Sequence, residues 1–450
     1  MKNESLEHFH QAFGQLAMTL PGAELPWLRA ARRSAFDQFN ALGLPTTRHE
    51  DWKYTNVSAI GNRPWHFAPQ RTGRTDRIDR IGGSDLPRSV DELALDPAGH
   101  RLVFVNGRHV PRLSRLNGLP HGVFVGSLTR ALREMPQRLQ AAIASQTYAD
   151  GFTALNTAFL TDGFAVVLPP GEVIDQPLHM LFLTDEAGLA VQPFNVVLAG
   201  VRSGCVIVEH FVGLGDDAYW TNAVTRIVVD EQADVQHYRL QQEGSKAFHI
   251  ALVAAAQQRA SCFTSHAFAF GAALSRTGIS TSLNAANAQA TLNGLYFVGG
   301  RQHVDHHTRI DHAEPHGTSR EYYRGVLDGA ARGVFNGRVI VHRDAQKTDT
   351  HQANHNLLLS RDAEIDTKPQ LEIYADDVKC THGATVGQLD GNQLFYLRAR
   401  GVEERVARAL LTYAFARDIV ERVRIDSLRA RLESLLLART PEGERIRELL

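Results

Sequence analysis

The sequence predicts a mainly β protein in which a long β-helix lies between an N-terminal and a C-terminal helical domain. Apolar residues follow helical spacing near the start of the chain and again after Asp390, and short strands recur at a nearly constant interval between them. With 450 residues and a hydrophobic content of 43%, the chain has ample apolar material for such a core.

The N-terminal helical domain is predicted over residues 1–60. Apolar residues recur there at spacings of three and four, namely at Leu28, Ala31, Ala35, Phe39 and Leu42. Gly43-Leu44-Pro45 then supplies a stop signal, so we expect a helix of about four turns before it. Residues 61–150 form a variable region leading into the solenoid, and its polar stretch 62–97 is typical of a linker or mobile loop.

The β-helix is predicted over residues 151–390 from a repeat. A small residue followed by a polar strand start recurs at Ala233-Asp234, Ala260-Ser261, Ala288-Gln289, Gly317-Thr318 and Ala345-Gln346, in steps of 27, 28, 29 and 28 residues. A second series interleaves with it, starting at Phe248, Ser275, Val304, Val334 and Ile365. Two strands in each period, with no helical stretch between them, favour a solenoid of stacked turns. Another all-β fold with short strands is the alternative.

The C-terminal helical domain is predicted over residues 391–450. Its apolar residues follow helical spacing at Leu394, Leu397, Val406, Leu410, Tyr413, Leu428, Leu432, Leu435 and Leu436. Gly401 separates the first helix from the second, and Pro441-Glu442-Gly443 interrupts the last. We expect these helices to close the solenoid as a cap and to leave apolar surface for a partner, with a purely intramolecular cap as the alternative.

Charge and cysteine content exclude several classes of protein. Lys and Arg total 48 against 49 Asp and Glu, so the net charge of −1 disfavours a nucleic-acid or anionic-lipid partner. Nowhere do roughly 18 apolar residues run together, and the first residues lack the apolar core of a signal peptide, so we expect no membrane span and a cytoplasmic location. The three cysteines Cys205, Cys262 and Cys380 are far apart and fit reduced thiols.

Common catalytic motifs are absent from the sequence. No G-x-x-x-x-G-K-[ST] loop is present to hold nucleotide phosphates, and neither a G-x-S-x-G elbow nor an H-E-x-x-H helix occurs. The chain is therefore predicted not to be an enzyme.

Histidine is abundant, with 21 in the chain and a dense group from His303 to His316. Alternate residues of a strand share a face, so His303, Asp305 and His307 could form a metal site. The alternative is a set of half-buried side chains that only form hydrogen bonds.

The second candidate site is the pair Cys380 and His382. The two residues lie two positions apart and share a face if the segment is extended. A thiolate beside an imidazole is a good contact for iron or sulfur, but two ligands are too few for a closed site. Any metal held here needs groups from another chain or turn, and a buried structural thiol is the alternative.

The segment from Lys347 to Val402 resembles the SufB/SufD family. The similarity rests on KTDTHQANHNLLLS at 347–360, AEIDTKPQLEI at 363–373, ADDVKCTHGATVG at 375–387 and QLFYLRARG at 393–401. EDWKYT at 50–55 is similar to the family's motif after the first helices. Gly383 stands where the SufB branch tends to carry glutamate, which brings the segment nearer to the SufD branch.

The resemblance implies a right-handed parallel β-helix between helical domains, in a scaffold subunit for iron-sulfur cluster assembly. Implied partners are a SufB-like paralogue, a SufC-like ATPase on the C-terminal helical domain and a sulfur carrier that acts through the complex; a homodimer is left open. It also implies that the chain alone holds no stable cofactor, that a transient cluster forms at the interface, and that the complex can carry flavin. The family's interface residues correspond to His382, the metal ligand together with partner groups, and to Cys380 as its support.

Two other functions stay open on the sequence. A β-helix can carry a polysaccharide-active site along a groove, which would need a pair of exposed carboxylates. The group from His303 to His316 could instead serve an iron-binding delivery protein.

Overall fold

The computed structural model describes residues 4–67, 80–81, 84–144 and 150–448. Its helices are α1 (Glu4–Leu16), α2 (Pro26–Leu42), α3 (Ser58–Gly61), α4 (Leu86–Leu93), α5 (Leu128–Glu134), α6 (Pro136–Ala144), α7 (Gly151–Ala158), α8 (Gly391–Ala399), α9 (Glu404–Val420), α10 (Asp426–Arg439) and α11 (Gly443–Arg447). Short 3-10 turns lie at Glu50–Trp52 and Pro111–Leu113.

The strands begin before the solenoid and continue through it. They are β1 (His66–Phe67), β2 (Arg80–Ile81), β3 (Ser84–Asp85), β4 (Arg101–Val105), β5 (Arg108–His109), β6 (Phe124–Ser127), β7 (Phe164–Leu168), β8 (Leu178–Thr184), β9 (Leu189–Val191), β10 (Phe194–Ala199), β11 (Gly204–Gly213), β12 (Trp220–Val229), β13 (Asp234–Gln242), β14 (Phe248–Gln257), β15 (Cys262–Ala269), β16 (Leu274–Leu283), β17 (Gln289–Val298), β18 (His303–His312), β19 (Thr318–Leu327), β20 (Arg332–Val341), β21 (Asp349–Leu358), β22 (Glu364–Ile373) and β23 (Lys379–Gly387).

Two long sheets form the walls of the solenoid. Sheet one runs β22-β20-β18-β16-β14-β12-β10-β7-β6, and sheet two runs β23-β21-β19-β17-β15-β13-β11-β8-β4-β5. From β7 onward, successive strands along the chain alternate between the two walls, apart from the short β9, and each pairs in parallel with the strand one turn away. The predicted parallel β-helix, with helical segments before and after it in the chain, is confirmed, and it has about eight turns.

The repeat in the sequence marks the turns that lead into sheet two. A residue with left-handed backbone lies two positions before each of β11, β13, β15, β17, β19 and β21, namely Arg202, Gln232, Ala260, Asn287, His316 and Lys347. The residues that follow at Ala233, Ala288 and Gly317 are the small residues that the sequence repeat detects. At Ala260 the repeat fell on the left-handed residue itself, one position before the equivalent Ser261.

The last repeat position was predicted three residues too early. The sequence places it at Ala345-Gln346, whereas the equivalent pair is Thr348-Asp349. The turn between β20 and β21 has seven residues, against five between β18 and β19, and it contains a buried alanine, Ala345, before the equivalent position is reached.

Apolar side chains fill much of the solenoid interior and form its main core. Inward-facing residues of both walls contribute to it, including Phe263, Ile279, Leu292, Val304 and Phe335, all of them buried. Burial of side chains at this density stabilises the stack, since each buried CH₂ contributes about 0.8 kcal/mol.

The N-terminal helices pack on the outer face of sheet one. Helix α2 ends at Leu42, and Gly43 follows with φ 64° and donates to the Phe39 carbonyl, so the predicted helix and its stop are confirmed. Phe9 and Phe39 join a cluster with Trp220 at the start of β12. The predicted linker 62–97 contains α4, whereas residues 68–79 and 82–83 lie outside the described residues.

The C-terminal helices lie along the side of the solenoid. Tyr413 and Ala416 of α9 and Leu432 of α10 pack with Tyr238 and Phe268 on the outer face of sheet two. The expectation that these helices cap the last turn was therefore wrong, because the apolar outer face of sheet two offers them a larger surface. The breaks predicted at Gly401 and around Pro441 are confirmed by the limits of α8 to α11.

Length and hydropathy decide whether a helix can span a membrane. Across the described ranges, none is long and apolar enough to cross a bilayer.

Candidate functional site: the open end of the solenoid

The last turn of the solenoid, formed by β22 and β23, is uncovered. Each strand is the terminal member of its sheet and is paired on one side only. Most side chains of β23 are exposed, whereas those of β19 and β21 are mostly buried or half-buried. We call these two strands the open end. An edge of this length presents a row of unpaired backbone groups to another chain.

Cys380 and His382 lie on the inner face of the open end. Cys380 pairs in register with Thr350 and His382 with Gln352, and both of these partners are buried in the interior. Because side-chain direction is kept along a parallel ladder, Cys380 and His382 project over the interior. Cys380 is half-buried against the core and His382 is exposed, so both can be approached from beyond the last turn.

The Cys380 thiol is not activated by its own chain. Partial burial raises its pKa, and the nearby Asp349 carboxylate raises it further. A thiol in this setting stays protonated near neutral pH and reacts slowly until a cation or metal stabilises the thiolate. The geometry suits a supporting ligand better than a free-standing nucleophile.

The predicted trio His303, Asp305 and His307 shares the outer face of β18. His307 Nε2 lies 3.1 Å from Asp305 Oδ1, and Asp305 is buried. Arg276 forms an ion pair with the same carboxylate, and Thr55 donates a hydrogen bond to it. Although burial opposes ionisation, Arg276 and His307 hold the pKa of Asp305 well below its usual range.

These contacts attach the N-terminal motif at 50–55 to the solenoid. Thr55 Oγ1 lies 3.0 Å from His303 Nε2, and the Arg276 guanidinium stacks on the Trp52 ring at 3.8 Å from its centroid. Glu50 forms an ion pair with Lys368 of β22 (2.6 Å). The trio therefore has a clear docking role, and a metal site there stays a prediction.

Two histidines of the segment 347–360 link neighbouring turns of the solenoid. His351 Nδ1 lies 2.8 Å from Thr381 Oγ1, and His355 Nδ1 lies 2.7 Å from Thr385 Oγ1, both tying β21 to β23. Within the residues that the structure describes, no group of three or more His, Cys, Asp or Glu side chains is placed to hold a metal. Cys380 and His382 thus offer at most part of a ligand set, and their role stays a prediction.

Cys205 and Cys262 have the environment of structural thiols. Cys205 is buried in the core, and burial together with Asp234 raises its pKa to about 12. Burial raises the pKa of Cys262 as well. Neither thiol lies on the open end.

Sequence reasoning missed a network of buried charges inside the middle turns. Arg239 forms an ion pair with Glu209 and stacks on the Phe211 ring at 4.3 Å from its centroid. His249 pairs with Glu243 on the same level of the interior. Burial opposes the charge on Glu209, but Arg239 outweighs it and lowers its pKa to about 2. The only signal in the sequence was charge at inward positions of predicted strands.

Two models of known protein families match the chain. Residues 182–415 match the family model described as the SufBD core domain of SUF system FeS cluster assembly, and residues 3–180 match the SufBD protein N-terminal region. The protein belongs to the SufBD family. The N-terminal family model includes residues 61–150, the variable region that leads into the solenoid.

The SufBD chain has relatives along nearly its whole length. It is 34% identical over 449 residues to an iron-sulfur cluster assembly SufBD family protein of Synechocystis, covering 96% of this chain and 95% of that one. It is 34% identical over 416 residues to the iron-sulfur cluster assembly protein SufD of Escherichia coli, covering 91% and 92%. The SufD of Bacillus subtilis is 24% identical over 436 residues, covering 92% and 94%. The polysaccharide-active alternative finds no support among these SufBD matches.

Proposed function

We propose that this SufBD protein is a non-catalytic scaffold subunit of an iron-sulfur cluster assembly complex. In this proposal a SufB-like paralogue covers the open end, and nascent clusters form between the two chains. The observation that carries the proposal is the uncovered last turn with His382 and Cys380 on its inner face.

The open end suits a second solenoid of the same kind. Its strands β22 and β23 present unpaired backbone donors and acceptors, which another β-helical chain can pair with strand to strand. Pro369 in β22 lacks a backbone N–H, which restricts the registers in which such pairing can occur. An imidazole and a thiol alone do not complete a tetrahedral iron site, so the remaining ligands come from the paralogue.

The C-terminal helices supply a second contact surface, which we assign to a SufC-like ATPase. Phe395 and Tyr396 of α8 are 72% and 55% exposed, next to a shallow groove that includes Leu397 and Leu411. Large apolar side chains exposed together on a short helix are typical of a protein interface. Because the chain lacks a phosphate-binding loop, the energy of ATP reaches the scaffold only through this partner.

In this scheme, iron and sulfur are cargo and not a resident cofactor. A sulfur carrier delivers sulfur to the complex, and the cluster leaves after assembly. Flavin on the complex stays an implication of the family resemblance, with no residue of this chain assigned to it.

Reconstitution with the paralogue and the ATPase from the same organism tests the proposal. We expect the three chains to copurify, to hydrolyse ATP and to build clusters from iron and a sulfide source, as followed by visible absorption. The lone chain is expected neither to hydrolyse ATP nor to build clusters. Phe395→Asp should release the ATPase but keep the paralogue, whereas Met18→Asp, at a site 69% exposed on the N-terminal side, should release neither. ATP hydrolysis or cluster assembly by the lone chain would contradict the proposal.

A further inference from the structure

One column of inward-facing side chains leads directly to His382. Along sheet two, the register places Leu292, Glu321, Gln352 and His382 on successive strands. Neighbouring strands lie about 4.8 Å apart, so each residue of the column is next to the following one. The column is apolar at Leu292 and polar from there to the open end.

The two polar side chains below His382 are hydrogen-bonded to each other. Gln352 Nε2 donates to Glu321 Oε2 over 2.6 Å, and both residues are buried. This contact fixes which end of the Gln352 amide points back into the solenoid. Among the described residues, the Gln352 carbonyl oxygen Oε1 has no hydrogen-bond partner, although it is buried. A buried acceptor without a donor destabilises the folded state, so this oxygen calls for an explanation.

The opposite wall holds the Gln352 amide in place. Gly337 of β20 faces the interior across from it, and a Cβ atom there would lie 2.1 Å from Gln352 Nε2. Only glycine leaves room for the amide at that position. The amide is therefore confined between Glu321 and the backbone of Gly337. The strand that carries its carbonyl oxygen is the direct neighbour of the strand that carries His382.

We propose that Gln352, oriented by Glu321, is a positioning residue for His382, accepting a hydrogen bond from one imidazole nitrogen when the partner covers the open end. The other ring nitrogen then keeps its lone pair for iron on the partner side. Histidine ligands of metals commonly donate their second ring N–H in this way, which fixes both tautomer and ring orientation. The inference rests on the proposed function, because it assumes that His382 is a ligand at the interface.

The neighbouring column supplies a matched control. Below Cys380, Ser319 Oγ donates to Thr350 Oγ1 over 2.7 Å, and His312 Nε2 lies 2.9 Å from the same serine oxygen. Thr350 occupies the same strand as Gln352 and is equally buried, but it lies under the cysteine. Thr350→Val removes a buried hydrogen bond at the same depth without touching the column of His382.

Iron affinity of the reconstituted complex tests this inference. Gln352→Met keeps the length of the side chain and removes the carbonyl acceptor, and it should weaken iron binding by about 10- to 100-fold. Gln352→Asn keeps an amide but moves its carbonyl away from His382, so it should also weaken iron binding. This second variant replaces Gln352→Met as the test if that variant folds poorly. Thr350→Val should bind iron like the wild type. Pulsed electron paramagnetic resonance of the reduced cluster should show an altered histidine-nitrogen coupling in the Gln352 variants only.

The outcomes separate this inference from the function on which it rests. Wild-type iron affinity in both Gln352 variants, with binding lost in His382→Ala, would overturn the positioning role alone. A loss in Thr350→Val as large as in Gln352→Met would also overturn it, because the effect would then come from a loosened end of the solenoid. Unchanged iron binding in His382→Ala would overturn the proposed function itself.

Discussion

Replacing His382 by alanine is expected to abolish cluster assembly in the reconstituted complex while leaving the complex intact. His382 is exposed on the inner face of the open end, so the fold does not depend on burial of its ring. Loss of a ligand to the nascent cluster should lower the assembly rate by at least about 10- to 100-fold, since even losing a residue that supports a ligand costs that much. The rate of cluster formation under ATP turnover measures the loss of assembly, and gel filtration shows whether the complex stays intact.

His355→Ala is the matched control for this variant. His355 lies on β21 of the same wall but on its outer face, where it contacts Thr385. Its removal should weaken the tie between the last two strands without affecting assembly chemistry. A normal rate of cluster assembly by the His382→Ala complex would show that His382 is not part of the assembly site.

The largest effect on stability is expected from Arg239→Met. This change takes the arginine partner from the Glu209 carboxylate and leaves it with His237 and the Thr225 hydroxyl beside it. The site lies inside the solenoid, where the side chains of Arg239 and Glu209 are at most 1% exposed. Breaking a buried pair from one side costs about 3–5 kcal/mol, because the remaining charge loses its partner but not its desolvation penalty. The free energy of unfolding of the lone chain in urea measures the loss.

An exposed pair gives the comparison. Arg259 and Glu231 form an ion pair with side chains 57% and 36% exposed, so Arg259→Met should cost at most about 1 kcal/mol. Adding Glu209→Gln to Arg239→Met should recover part of the loss, since the unpaired charge is then gone. Equal losses at the two sites would show that the interior pair does not act as a buried ion pair.

The repeat in the sequence located the solenoid because its turns have a local requirement. A left-handed residue followed by a small one, as in Gln232-Ala233 and Asn287-Ala288, recurs wherever the chain enters sheet two. Helix α2 was equally visible, because its apolar spacing and Gly43 lie within one short segment. Features of this kind depend on neighbours in the sequence.

The placement of the C-terminal helices could not be predicted in the same way. Their apolar stripe indicates that they cover something, but it does not say whether that surface is the end or the side of the solenoid. The decisive residues, Tyr238 and Phe268, are recognised as outward-facing only when the strand register is known. The same helical spacing of apolar residues is therefore compatible with helices that cap the end of the solenoid and with helices that pack along its side.

The candidate site was predictable only in part. Cys380 and His382 share a face because they are two residues apart in one strand, which the sequence shows directly. Gln352 and Glu321 lie beneath His382 at separations of 30 and 61 residues, and turns of variable length hide that register. The contact between Thr55 and Asp305, which are 250 residues apart, was likewise beyond reach of local patterns.

Backbone amide exchange at the open end tests the central claim most directly. In the lone chain, amides of β23 that face away from β21 should exchange fast, because they have no strand to pair with. Binding of a SufB-like paralogue should slow exchange in β22 and β23 and leave β13 in the middle of the solenoid unchanged. An intact complex in which β22 and β23 exchange as fast as in the lone chain would contradict an interface at the open end.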